Sequence, residues 1–159
     1  MANEIYLTLN GKTQGLISSG CSSLDSIGNK AQLAHLDQIM VYELSHSISR
    51  EQNAAHHPVI ITKPLDKSSP LIGKAISENE VLTCDIDVYR INQFDINELF
   101  YKFKLTGARI TDLHILLPHV LHDSQGQPQE AITFSYETIT WEHVSAGTSA
   151  YSLWNDRVM

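Results

Sequence analysis

The chain has 159 residues, enough for one domain that buries a sizeable core without a disulfide staple. Hydrophobic residues make up 42% and charged residues 18%, which excludes a disordered chain and leaves a surface built largely of Ser, Thr, Asn, Gln and His. Against 18 acidic residues stand 11 basic ones with no Lys or Arg run, a net charge of −7, which argues against sequence-independent nucleic-acid binding through phosphate neutralisation.

Met1 to Leu9 has neither a basic segment nor a long apolar core, so no classical signal peptide is expected there. Nothing approaches the ~20 apolar residues of a spanning helix, and no membrane anchor is expected. Ile5, Leu7 and Leu9 alternate with Tyr6, Thr8 and Asn10 as a first strand, which runs into the Asn10-Gly11 turn. Met40, Tyr42, Leu44, His46 and Ile48 form one face of a second run. Val59 to Thr62 is nearly all apolar and reads as a strand covered on both faces.

Lys63-Pro64-Leu65-Asp66-Lys67-Ser68-Ser69-Pro70-Leu71 ends in the one strong helix start. Ser69 can cap with its side-chain oxygen, and Pro70 fits the first helical position, where a missing N–H costs nothing. From Pro70 to about Glu78, Leu71, Ile72, Ala75 and Ile76 make one apolar face, and Asn79 suits a left-handed terminator. Gly73 lies off that face, either as a tolerated surface glycine or as a point where another subunit comes close.

Val81 to Thr106 reads as a long hairpin with Ile91 to Glu98 as its loop. One register sets Asp85 against Lys104 and Asp87 against Lys102, and it also pairs Ile86 with Phe103 and Val88 with Tyr101. Further runs at Ala108 to Leu117 and Ala131 to His143 flank the turn-rich Asp123 to Pro128. Between Phe134/Tyr136 and Ile139/Trp141 the bulky side changes phase, which predicts a bulge or a change of covering face. A last strand covers Ser149 to Trp154. Many short strands plus one helix predict a mainly β, two-sheet sandwich or barrel with the helix at its side.

Chemistry is sparse. His119 and His122 have the tightest histidine spacing, but no third ligand is evident and Pro118 argues against a helix that would aim them together; a solvated loop is expected, with no metal or other cofactor. Asp85 and Asp87 could pair as hydrolase carboxylates, yet the facing lysines make them a charge ladder. Cys84 reads as a core thiol and Cys21, after Gly20, as a more exposed one. No nucleophile elbow, Walker loop or dinucleotide fingerprint is present, and no enzyme is expected. A small β-barrel hydrolase and a calycin-like carrier are the alternatives of other classes.

The pieces Ile5-Tyr6-Leu7, Ser49-Arg50-Glu51, Ile60-Ile61-Thr62-Lys63, Leu65 to Leu71, Ile139-Thr140-Trp141 and Tyr151-Ser152-Leu153-Trp154 stand in an order and spacing that resembles the Hcp family, the tube proteins of type VI secretion systems, in its short enterobacterial type. The departure is greatest over Ile91 to Glu98. What the resemblance implies is a compact two-sheet β-barrel spanning 1–159, without a toxin extension after it. It also implies homohexameric rings that stack into a tube, moved by a contractile sheath, tipped by a spike protein and carrying effectors. The protein would be made in the cytoplasm and leave through that apparatus without a signal peptide. By the same resemblance Ser49 to His57, with Ser49, Arg50, Glu51, Gln52, Asn53, His56 and His57, reaches a neighbouring subunit or ring, against the plainer reading of a mobile loop. Gly73 joins that candidate interface, and Ser69, Pro70, Trp141 and Trp154 are assigned to the fold.

Overall fold

The computed structural model describes residues 3–122 and 126–155, so part of the predicted turn at Asp123 to Pro128 lies outside the described residues. Strands form where side chains alternate. In β1 (Glu4–Gly11) Leu7 and Leu9 enter the core, while Tyr6 on the opposite face is covered by the His35 ring, stacked at 3.8 Å. A two-residue β2 (Gly15–Leu16) follows the first turn, and a short α1 (Leu24–Ile27) lies in the long connection after it.

The run read as one strand from Met40 to Ile48 is three: β3 (Ile39–Val41), β4 (Glu43–Ser45) and β5 (Ile48–Arg50). Each has a different partner, because the chain leaves β1 to join β7 (Val59–Pro64) and then folds back on β6 (Ala54–His56). In β7, Val59, Ile61 and Lys63 are buried whereas Ile60 is 43% exposed, so the strand is covered on one face rather than two.

The helix α2 (Ser69–Ser77) buries Ile72 and Ala75 and packs on the long strand β9 (Asn97–Leu116). Full burial of a side chain such as Ile72 contributes about 1.5–3 kcal/mol. The cap differs from the expectation. Ser68 is the N-cap residue and makes no side-chain cap bond, and Pro70 sits one residue inside the helix. Ser69 instead accepts a hydrogen bond from the Asp66 amide and donates to Glu130. Asn79 does terminate the helix in the left-handed region, at φ 52°.

β8 (Leu82–Ile91) and β9 form the predicted hairpin in the predicted register, with Asp85, Ile86, Asp87 and Val88 opposite Lys104, Phe103, Lys102 and Tyr101. Pairing continues to Ile91 and Asn97, so the turn is shorter than the expected loop; Asn92 Oδ1 accepts the amides of Phe94 and Ile96 across it. β9 also runs straight through the expected break at Thr106 to Ala108. Its first half pairs with β8 and with β11 (Thr138–His143), its second half with β10 (Gln129–Ser135), so one strand belongs to both sheets. Gly107 marks the crossing. It holds φ 62°, in the left-handed region that favours glycine, whereas a Cβ there would only have to push aside the end of the exposed Glu137 side chain, 2.6 Å away.

The phase change between Tyr136 and Ile139 is the passage from β10 in one sheet to β11 in the other, and β12 (Thr148–Leu153) closes that edge. Along the main path the order is β2-β1-β8-β9-β10-β7-β4, and β2 does not pair with β4. The two sheets therefore form an open sandwich rather than the closed barrel. Their apolar faces meet through Leu7, Ile86, Leu105, Ile61, Ile132 and Phe134. Trp141 and Trp154 pack, partly buried, at the margin of this core. Cys21 is fully buried like Cys84, which corrects the more exposed position expected for it.

Candidate functional site

Ser49 to His57 is not a plain loop. β5 and β6 pair through Ile48 with His56, Ser49 with Ala55 and Arg50 with Ala54, and this two-stranded hairpin stands outside the main sheet path. Three ladder positions are too few to hold a hairpin by themselves in water. Side chains supply the rest of the attachment. Its tip, Arg50, Glu51 and Gln52, is exposed, with the Arg50 guanidinium donating to the Gln52 carbonyl at 3.3 Å. At its base His57 is exposed and meets Ser49 Oγ at 3.0 Å. Asn53 is half-buried.

His56 points the other way. It is only 8% exposed, with Nδ1 2.7 Å from the Tyr136 hydroxyl and Nε2 2.9 Å from Ser152 Oγ. His46, just before the hairpin, brings its Nε2 to 2.8 Å from the same Tyr136 hydroxyl. Trp154 covers the group, stacked on His56 and edge-on to Tyr136 at 4.8 Å. Residues 46–56 and 136–154, far apart in sequence, thus meet around one phenol. Burial pushes the Tyr136 phenol up to about 12, so it stays protonated. Burial, and then the neighbouring imidazoles, hold His46 and His56 below the usual histidine value.

Ser152, His56 and Tyr136 have the order of a nucleophile, a base and an orienting group. The third member is a neutral phenol, which offers no negative charge to a developing imidazolium, so the trio lacks the electrostatic half of a hydrolytic triad. What the arrangement does chemically is tie the hairpin to the β10–β11 link and to β12 by uncharged hydrogen bonds.

A second buried polar group lies beside α2. Lys63 and Glu130 face each other directly across β7 and β10 and form an ion pair, each side chain fully buried. Asp66 joins at 3.0 Å from Lys63 Nζ, and Ser69 and the Pro64 carbonyl complete the lysine's partners. The segment read as a helix start therefore encodes an ionic knot that seats the helix. Gly73 stands on the outer side of that helix, and among the described residues nothing lies within 4 Å of a Cβ added to it.

Elsewhere the candidate chemistry resolves into structure. Asp85 and Asp87 lie 4.0 and 3.9 Å from Lys104 and Lys102. His119 Nδ1 accepts the amides of Leu121 and His122, closing a turn, and among the described residues no three potential ligands cluster around a metal position. The sequence reading missed the cluster at Tyr136 because each hydrogen bond between its side chains joins residues at least 80 positions apart; the available signal was that Tyr136 shares the buried parity of Ile132 and Phe134.

A model of the family described as "Type VI secretion system effector, Hcp" matches residues 6–143. The chain belongs to the Hcp family. Hcp proteins are the secreted tube and effector proteins of the type VI secretion system, a structural family not known for catalysis. The Major exported protein of Pseudomonas aeruginosa is 34% identical over 99% of both chains. Uncharacterized protein YhhZ of Escherichia coli K12 is 38% identical over 93% of this chain, which spans only 37% of YhhZ. A structure titled "Crystal structure of Hcp protein" superposes with a TM-score of 0.91 at 32% identity, covering 98% of this chain and 99% of that one. The two-sheet, mainly β architecture is thus that of Hcp. Among the described residues no helix is long and apolar enough to cross a membrane.

Proposed function

We propose that this chain is a tube subunit of a type VI secretion system, joining head to tail into hexameric rings that stack and leave the cell through the apparatus. A contractile sheath propels the stack, a spike protein tips it, and the ring lumen carries effectors. The observation that carries this reading is likeness over the whole chain length to Hcp in both sequence and fold. The surface supports it. Large apolar side chains stand exposed in separate places: Phe94 and Ile96 at the β8–β9 turn, Leu117 and Val120 beyond β9, Tyr151 on β12. Head-to-tail association needs unlike patches on two sides of a subunit, and such scattered apolar groups suit it.

Light scattering with negative-stain imaging of purified protein tests the reading. Six-membered rings are expected; a monomer at every accessible concentration would overturn it. The β5–β6 tip is the candidate stacking element, so reversing its charges with Arg50→Glu and Glu51→Lys is expected to shorten stacks while rings persist. Deleting Asn53 to His56 would not isolate the tip, because it also removes the contacts of His56 that dock the hairpin on the body of its own chain. At Gly73 a leucine meets open space in the monomer. Loss of rings in Gly73→Leu would therefore report a neighbouring subunit against α2, and rings of normal yield would remove α2 from that boundary.

A further inference from the structure

The Tyr136 hydroxyl has one proton and two imidazole neighbours. His46 Nε2 and His56 Nδ1 both lie within 2.8 Å of it, and the His57 carbonyl, 3.5 Å away, is the remaining acceptor. With both imidazoles neutral, the bonds run in one direction. One imidazole donates to the phenol oxygen, the phenol donates to the other, and the second His56 nitrogen exchanges a bond with Ser152 Oγ. A first added proton leaves one imidazolium donating to the phenol oxygen and the phenol donating to the neutral ring, so both bonds survive. A second leaves two imidazolium donors against one oxygen, in a half-buried site where like charges repel.

We propose that this shared-proton arrangement is an acid-labile clamp, which docks the β5–β6 hairpin on the body of the subunit at neutral pH and releases it on acidification. The clamp rests on the assignment of that hairpin to ring stacking only for its biological meaning; the docking itself is a property of the monomer.

The surroundings of the two imidazoles favour release. Facing them are the other imidazoles, His57 included, from the hairpin and its base, Tyr136 from the β10–β11 link, Ser152 from β12 and Trp154 just beyond it, while Arg50 and Glu51 stand at the exposed tip. Arg109 lines an open groove together with Tyr136 and Trp154, and its guanidinium donates to the Asn79 carbonyl. Among the described residues no carboxylate forms an ion pair with His46 or His56, and Glu137 is exposed with its carboxylate against Gly107. A proton gained on either ring therefore has no counter-charge. Burial, then the other imidazoles, keep both rings below their ordinary value of 6.5 in the docked state. The undocked hairpin, with ordinary histidines, binds protons first. Docking free energy is thus fully present above 6.5 and is lost as pH falls below it.

Hydrogen exchange, corrected for intrinsic rates, tests this on the full chain at about pH 7.5 and about pH 5.5. Amides of residues 48–56 are expected to lose about tenfold or more of their protection at the lower pH, while β8–β9 amides keep theirs. In Tyr136→Phe the hairpin should be poorly protected at both pH values. Should that variant not fold, His46→Gln keeps a donor and an acceptor without a titrating ring, and is expected to cut the pH response of the hairpin at least threefold. Equal hairpin protection at both pH values in the parent chain, or equal losses in hairpin and β8–β9, would overturn the clamp. Imaging the same samples separates this from the tube reading: absent rings with a pH-dependent hairpin defeat the tube and leave the clamp standing, whereas rings with a pH-independent hairpin do the reverse.

Discussion

The β8–β9 and β5–β6 hairpins are both antiparallel pairs joined by tight turns, yet they are held by opposite means. β8–β9 is paired at nine positions and roofed by Cys84, Ile86 and Leu105, each fully buried, so its stability is that of the core. β5–β6 has three paired positions, an exposed tip and one buried residue, His56, so its stability lies in a few directed polar contacts. Burial of area is insensitive to protons, whereas a hydrogen-bonded imidazole is not. One chain therefore combines a hairpin fixed by its core with one fixed by a few polar contacts.

Ile86→Ala should have the largest effect, about 2–5 kcal/mol of global stability in urea unfolding, because a fully buried side chain is removed from the long hairpin. If the small hairpin were held the same way, Tyr136→Phe would cost as much. Instead it should cost about 1–3 kcal/mol, from imidazole nitrogens left without a partner, and confine its effect to residues 48–56 in hydrogen exchange. Ser152→Ala removes only the outer bond of His56, and about 0.5–1.5 kcal/mol is expected with the same local pattern. Lys104→Gln should fall within about 0.5 kcal/mol of the parent, since its ion pair with Asp85 is at 4.0 Å and largely in water. A large loss from Lys104→Gln would mean that charge pairing, rather than apolar contact, sets the long hairpin.

How much of this was legible follows the same division. The β8–β9 register could be read because its charge pairs and apolar pairs lie within one short stretch and agree. The helix start could be read, but the role of Ser69 could not, since its partner Glu130 lies 61 residues away. Parity alone would have revealed Lys63: it shares the buried side with Val59 and Ile61, as Glu130 does with Ile132 and Phe134, and two opposite charges at buried positions call for each other. The open sandwich in place of a barrel turned on β9 serving two sheets through Gly107, a geometry that alternation does not encode. The burial of Tyr136 could be read from its parity with Ile132 and Phe134, but its meeting with His46 and His56 could not, being a product of the sheet change between β10 and β11.

Cys21 and Cys84 have a consequence for a protein that belongs to a secreted family. Both thiols are completely enclosed, and burial pushes the Cys21 thiol up to about 11 and that of Cys84 higher still. Neither presents a thiolate to an oxidant or to another chain's cysteine. The folded chain thus keeps both thiols out of reach of an oxidant, and a cysteine introduced on the exposed β5–β6 tip is expected to react with a maleimide where Cys21 and Cys84 do not.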